Sequence, residues 1–105
     1  MTSGWVDIGA ADTVSEAHRL SAEVDGYVVL VVRCGEAYYA VEDRCTHDGE
    51  PLDGGEIAAC EIVCPRHGAR FDLRTGEALT PPAYEPLRTF PVRVEAGRVL
   101  VESPA

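Results

Sequence analysis

Cys45-Thr46-His47, followed after sixteen residues by Cys64-Pro65-Arg66-His67, is the stretch that decides this chain. It sets two thiols and two imidazoles in two tight, mixed pairs. Two pairs are what a bridged pair of irons needs if each iron takes two protein ligands. Thiolate is a soft, charged donor suited to iron and sulfide, whereas imidazole is a neutral donor that suits several metals. Two ferric ions, two sulfides and two thiolates sum to zero charge, so with neutral histidines the reduced centre carries a single negative charge. Four thiolates would make each state two units more negative. Adding an electron to a neutral centre is easier, and histidine ligation raises the potential to roughly −150 to +300 mV against about −400 mV for all-cysteine plant-type clusters.

Two Cys and two His also make a tetrahedral zinc set. Classical C2H2 fingers pair Cys with Cys and His with His around a helix, whereas here each pair is mixed. The residues between the pairs, rich in Gly, Asp and Glu, look like a loop and a short strand. The iron-sulfur reading leads, and a zinc-binding interaction module stays open beside it.

Outward from the motif, short apolar runs alternate with turn signals. Trp5 to Ile8 predicts a first strand, and His18 to Val24 and Tyr27 to Arg33 flank the hairpin signal Asp25-Gly26. Ala37 to Glu42 follows Gly35. Asp43 to Gly55 is a loop, kept irregular by Gly49, Pro51, Gly54 and Gly55. Glu61 to Val63 leads into the second pair and Arg70 to Leu73 leaves it. After Thr75-Gly76 and Pro81-Pro82 come Leu87 to Val94 and Arg98 to Glu102, around Ala96-Gly97. Pro91 inside an otherwise strand-like run implies an edge or a bulge. Ala11 to Ala17 supports no more than one helical turn, capped by Asp12 or Thr13. The pattern is all-β, with antiparallel sandwich or small-barrel packing.

The chain has 105 residues, enough for one modest core, so residues 1–105 read as a single domain. Its 18 acidic side chains face nine basic ones, all Arg, for a net charge of −9. That balance argues against nucleic acid, whose phosphates demand a basic face, and against anionic membranes. It suits solubility and a partner with a basic docking patch, with Asp48, Glu50, Asp53 and Glu56 near the first pair as candidates. Met1 to Ile8 lacks a basic start and an apolar run, and Tyr27 to Val32 is too short to cross a bilayer. A cytoplasmic protein is expected.

Around the two pairs stand Glu42-Asp43-Arg44, Gly68-Ala69-Arg70-Phe71-Asp72 and the Pro81-Pro82 loop, and together with the ligand spacing they resemble the Rieske family. The resemblance covers nearly the whole chain. It is closest to the small soluble ferredoxins of bacterial ring-hydroxylating dioxygenase systems. It implies one [2Fe-2S] cluster per chain, bound by Cys45, His47, Cys64 and His67 in a subdomain of two loops over about residues 43–82. Cys45 and Cys64 would hold the inner iron, and His47 and His67 the outer one, through which electrons leave. It further implies that a proline-containing loop, here Pro81-Pro82, shields the cluster.

High-potential respiratory relatives, by the same resemblance, join their ligand loops by a disulfide at positions that here are Glu50 and Arg66. They also donate hydrogen bonds to the cluster sulfurs from a Ser and a Tyr where this chain has Ala69 and Phe71. Losing those donors lowers the potential, which is expected near the low end of the range, on the order of −150 mV.

Cys34 and Cys60 border turns, and in a cytoplasmic protein two reduced structural thiols are expected. His18 reads as a surface strand residue, and Trp5 and Phe90 as packing. With His18 the only further histidine, a mononuclear iron site of the two-His, one-carboxylate kind cannot be assembled. No catalytic site is therefore expected. The function implied is a monomeric electron-transport protein, an oxidoreductase component without catalysis of its own. It takes one electron from a flavoprotein ferredoxin reductase and passes it to a terminal Rieske non-haem iron oxygenase. The alternative is the small Rieske-like subunit of a nitrite reductase or other multisubunit oxidoreductase.

Overall fold

The structure is a computed structural model that describes residues 4–15, 18–46, 49–66 and 68–104. Among them lie ten strands and one short 3-10 turn, Ala11–Thr13. Four strands follow the turn signals of the first half: β1 (Trp5–Ala10), β2 (Leu20–Val24), β3 (Tyr27–Cys34) and β4 (Ala37–Glu42). A small group, β5 (Ile57–Ala58), β6 (Glu61–Val63) and β7 (Arg70–Asp72), brackets the second Cys-His pair in sequence. The last three are β8 (Thr89–Phe90), β9 (Val92–Glu95) and β10 (Arg98–Glu102).

These strands form three antiparallel sheets, in the orders β2-β3-β4-β8, β1-β10-β9 and β5-β6-β7. The four-stranded sheet is the middle layer. Strand β3 shows why, because Val29, Leu30, Val31 and Val32 are all buried. Side chains of a strand alternate between faces. Val29 and Val31 pack with Val24, Ala40, Phe90, Val99 and Val101, towards the β1-β10-β9 sheet. Leu30 and Val32 pack with Val41, Leu52, Ile62, Phe71 and Leu87, towards the small sheet and its loops. A strand buried on both faces reads as a continuous apolar run. Each of these side chains contributes about 1.5–3 kcal/mol by leaving water.

Pro91 does more than mark an edge. The run from Leu87 to Val94 breaks there, β8 pairing with β4 at Ala40↔Phe90 and β9 with β10 at Val101↔Val92. A residue without an N–H cannot sit in a continuous ladder, so the chain changes sheets at Pro91. The two-residue strand β5 is new to the sequence reading. His18 precedes β2 rather than lying in it, because His18 N–H donates to Ser15 Oγ and Ser15 N–H to His18 O, closing a turn. The expected helical turn is the 3-10 turn alone, where Thr13 Oγ1 donates to Ala10 O instead of capping.

Cys34 and Cys60, expected as separate thiols, are joined in a disulfide with Cα atoms 5.7 Å apart. The sequence places them 26 residues apart, and only the packing of the β3-β4 hairpin against the β5-β6 hairpin brings their turns together. Among the described residues no helix is long and apolar enough to cross a membrane.

Candidate metal centre

Cys45 follows β4 by three residues and Cys64 follows β6 directly. Neither is in a disulfide, and both are buried, at 0% and 1% exposure. They belong to one apolar cluster with Leu52, Ile62, Ala69, Phe71, Ala83 and Leu87. A thiol in such surroundings is shielded from water and oxidants unless something enters to use it. His47, Asp48 and His67 lie outside the described residues.

Each cysteine heads the same backbone frame. Cys45 N–H donates to Glu50 O at 2.7 Å, and Gly49 N–H returns to Cys45 O at 2.7 Å. Cys64 N–H donates to Ala69 O at 2.7 Å, and Gly68 N–H returns to Cys64 O at 2.9 Å. Gly49 and Gly68 sit at φ +78° and +76°, in the left-handed region where a side chain is strained. Both frames thus turn the chain back on itself within six residues, and in sequence both histidines fall inside them.

The second frame is the connection of a hairpin, closed by the Val63↔Arg70 pair of β6 and β7. Among the described residues the first frame has no such ladder behind it. Its return leg is held by Asp43, whose Oδ1 accepts from Leu52 N–H at 2.7 Å and Asp53 N–H at 2.9 Å. Further along, Arg19 donates from Nη2 to Gly55 O at 2.5 Å, and its Nη1 lies 3.9 Å from Asp53 Oδ1. Gly55 is wedged against β6, where a Cβ would collide with the Val63 carbonyl oxygen.

The loop after β7 closes over the same end. Its Pro81-Pro82 bond is cis, Ala83 is buried in the cluster with the two cysteines, and Tyr84 is 81% exposed. Thr46 Oγ1 donates to Glu85 O at 2.7 Å, fastening this loop to the first frame. On its other side Leu79 N–H donates to Arg70 O and Arg70 N–H to Thr80 Oγ1, at 2.8 and 2.9 Å. The proline loop is therefore pinned to the first cysteine frame and to the strand that leaves the second.

Ala69 and Phe71 are wholly buried and carry no hydroxyl. Glu50, Asp53 and Glu56 are exposed. From sequence Asp43 is the first residue of the irregular loop and part of the Glu42-Asp43-Arg44 triplet, with no bonding role, and Thr46 and Arg19 carry no role. An Asp entering a glycine-rich loop is a recognisable acceptor for backbone N–H groups, so Asp43 had a local signal. The contacts of Thr46 with residue 85 and Arg19 with residue 55 had none.

The protein is thus an all-β scaffold that carries two buried, unbridged thiols at the heads of matched loops, roofed by a third loop. The chain matches the Rieske [2Fe-2S] domain over residues 4–91 and belongs to that family. It is similar to the ferredoxin component of the naphthalene 1,2-dioxygenase/salicylate 5-hydroxylase systems of Ralstonia sp., 32% identical over 97% of this chain and 98% of that one. Among solved structures it resembles the ferredoxin of carbazole 1,9a-dioxygenase from Nocardioides aromaticivorans, with TM-score 0.88, 36% identity and 96% and 98% of the two chains covered. A further match, from a complex of reduced oxygenase and oxidised ferredoxin in carbazole 1,9a-dioxygenase, has TM-score 0.85 at 34% identity, covering 92% and 91%.

Proposed function

We propose that Cys45, His47, Cys64 and His67 hold one [2Fe-2S] cluster per chain, and that the chain is a one-electron carrier serving a ring-hydroxylating oxygenase. The observation that carries this reading is the pair of buried thiols, each at the head of the same hydrogen-bonded frame and both in one apolar cluster. The donor set fits the group: two soft thiolates from the core, and two imidazoles that the sequence places within the frames. When bound, such a cluster supplies reversible one-electron transfer.

What the chain's own residues do follows from their positions. Burial of Cys45 and Cys64 keeps water from the thiolates, and Ala83 of the proline loop completes the apolar cover. Asp43 and Thr46 fix the first frame, and the β6-β7 ladder fixes the second. Ala69 and Phe71 present no hydroxyl donors, which favours the low end of the family's range, on the order of −150 mV. Residues 1–105 act as one domain, with residues 43–82 as the cluster-binding part.

The relatives are ferredoxin components, and a similar ferredoxin has been seen bound to its oxygenase. By analogy the partners here are a flavoprotein reductase as donor and a terminal Rieske oxygenase as acceptor. Docking is weak and transient, as in other small redox interfaces, and the chain has no catalytic site of its own. EPR of the dithionite-reduced protein tests the assignment. A rhombic signal from a mixed-ligand cluster is expected, together with a potential near the stated value by voltammetry. A colourless, EPR-silent protein overturns the ligand set, and a strongly positive potential overturns the carrier role.

A further inference from the structure

The Cys34–Cys60 bond joins the tips of two hairpins that belong to different sheets. Cys34 ends β3, just before the Gly35-Glu36 turn that leads into β4. Cys60 is the second residue of the turn between β5 and β6. From these tips two strands run towards the proposed ligand cysteines: β4 ends three residues before Cys45, and β6 ends at the residue before Cys64. The bond therefore braces the two arms of the metal site at the end away from the ligands.

Two further observations bear on what this bond does. Cys34 and Cys60 are only half-buried, whereas Cys45 and Cys64 are closed to solvent. Residue exposure therefore favours exchange with a small thiol or disulfide at the first pair over the second, and access controls exchange. In addition, both turn residues, Ala59 and Cys60, are held at positive φ, +55° and +61°, a conformation that non-glycine residues resist. Beside the β5-β6 pairing at Ala58↔Glu61, Cys60 is tied by the bond to Cys34 and by the hydrogen bond from Leu73 N–H to its carbonyl at 2.9 Å. Removing the bond releases one of these ties at the start of β6, four residues before Cys64.

We propose that Cys34 and Cys60 form a reversible thiol–disulfide site whose oxidised state fastens the small sheet to the central one and so governs how firmly the chain retains its metal group. Oxidation proceeds by exchange with a low-molecular-weight disulfide. One protein thiolate attacks it and expels one small thiol, then the second thiolate attacks the mixed disulfide and expels the other. Two protein thiols are oxidised and one small disulfide is reduced to two thiols, which carry away the two protons. In a thiol-buffered compartment, such as the cytoplasm expected from the sequence, the pair would follow the thiol–disulfide balance.

The retention part of this inference rests on the iron-sulfur reading above, and the test separates the two. Cluster-loaded protein is equilibrated with oxidised or reduced glutathione, then denatured and alkylated, and the Cys34 and Cys60 peptides are weighed by mass spectrometry. Both cysteines should be blocked in the oxidised sample and alkylated in the reduced one. In parallel, bleaching of the visible absorption by an iron chelator should run several-fold faster in the reduced protein and in C34S/C60S, with an unchanged EPR signal from the cluster still bound. If C34S/C60S does not fold, the comparison of the two glutathione states of the wild-type chain reads the same quantity. Alkylation of both cysteines in the oxidised sample overturns the site. Equal bleaching rates overturn its effect on retention. A chain that never takes up a cluster overturns the ligand reading and the retention claim together, while the mass measurement still decides whether the bond forms.

Discussion

Loops 45–50 and 64–69 share one backbone frame, with the same two hydrogen bonds and a glycine at the same φ, yet they are supported in different ways. The second is the end of a hairpin, so the ladder between β6 and β7 holds both of its ends. The first leaves β4 and returns along a leg with no strand partner, and side chains take the place of the ladder: Asp43 on Leu52 and Asp53, and Thr46 on Glu85. A ladder is a property of many residues at once. A side-chain clasp depends on one. The two loops should therefore be equally necessary for the metal and unequally sensitive to single substitutions away from it.

The largest effect tests the equality. C45S and C64S should each abolish cluster binding, read as loss of visible absorption and of protein-bound iron; retention in either variant would remove that loop from the site. Next comes the inequality. D43A leaves two N–H groups of the first return leg without a charged acceptor, and should cost about 2 kcal/mol. In a protein of this size that is a fall of roughly 10 °C in Tm by calorimetry. An unchanged Tm would mean that the first loop stands without its clasp.

G49A and G68A then compare the frames themselves. Since both glycines have the same φ and neither faces a close contact, each should cost about 1 kcal/mol. A marked difference between them in denaturant melts would break the equivalence. The smallest effect lies at the foot of the second loop. Burial raises the Asp72 carboxyl, but hydrogen bonds from the Arg74 backbone and side chain, the Arg74 charge and a bond from Thr75 N–H together hold it below the ordinary 3.8. Its contribution is present above that value and is lost as pH falls through it towards the lowered one. D72N should therefore flatten stability against pH only in that acid window, by less than about 1 kcal/mol because the pair is partly exposed.

Much of this was legible without coordinates, for reasons that differ by residue. The hairpins at Asp25-Gly26 and Ala96-Gly97 announced themselves because their turns demand positive φ, which Gly26 and Gly97 adopt without strain. The turn at Ala59-Cys60 uses the same conformation without glycine or asparagine. A turn beside Cys60 was nonetheless expected; the short strand β5 that leads into it was not. Pro91 signalled an interruption, but not that the chain changes sheets, because that depends on which strands β8 and β9 find as partners. Cys34 and Cys60 read as separate thiols from compartment alone, since proximity across 26 residues is decided by how two hairpins pack.

The sequence by itself determined which donor side chains are present, their order in two mixed Cys-His pairs and the all-β pattern. Donor chemistry belongs to the side chain, and turn and strand preferences act over a few neighbours. Tertiary structure alone decided that Cys45 and Cys64 share one dry cluster, that Thr46 fastens a loop 39 residues away, and that two hairpin tips meet at Cys34 and Cys60. Those outcomes follow from burying apolar faces of distant segments against one another, and no local pattern records which faces will meet.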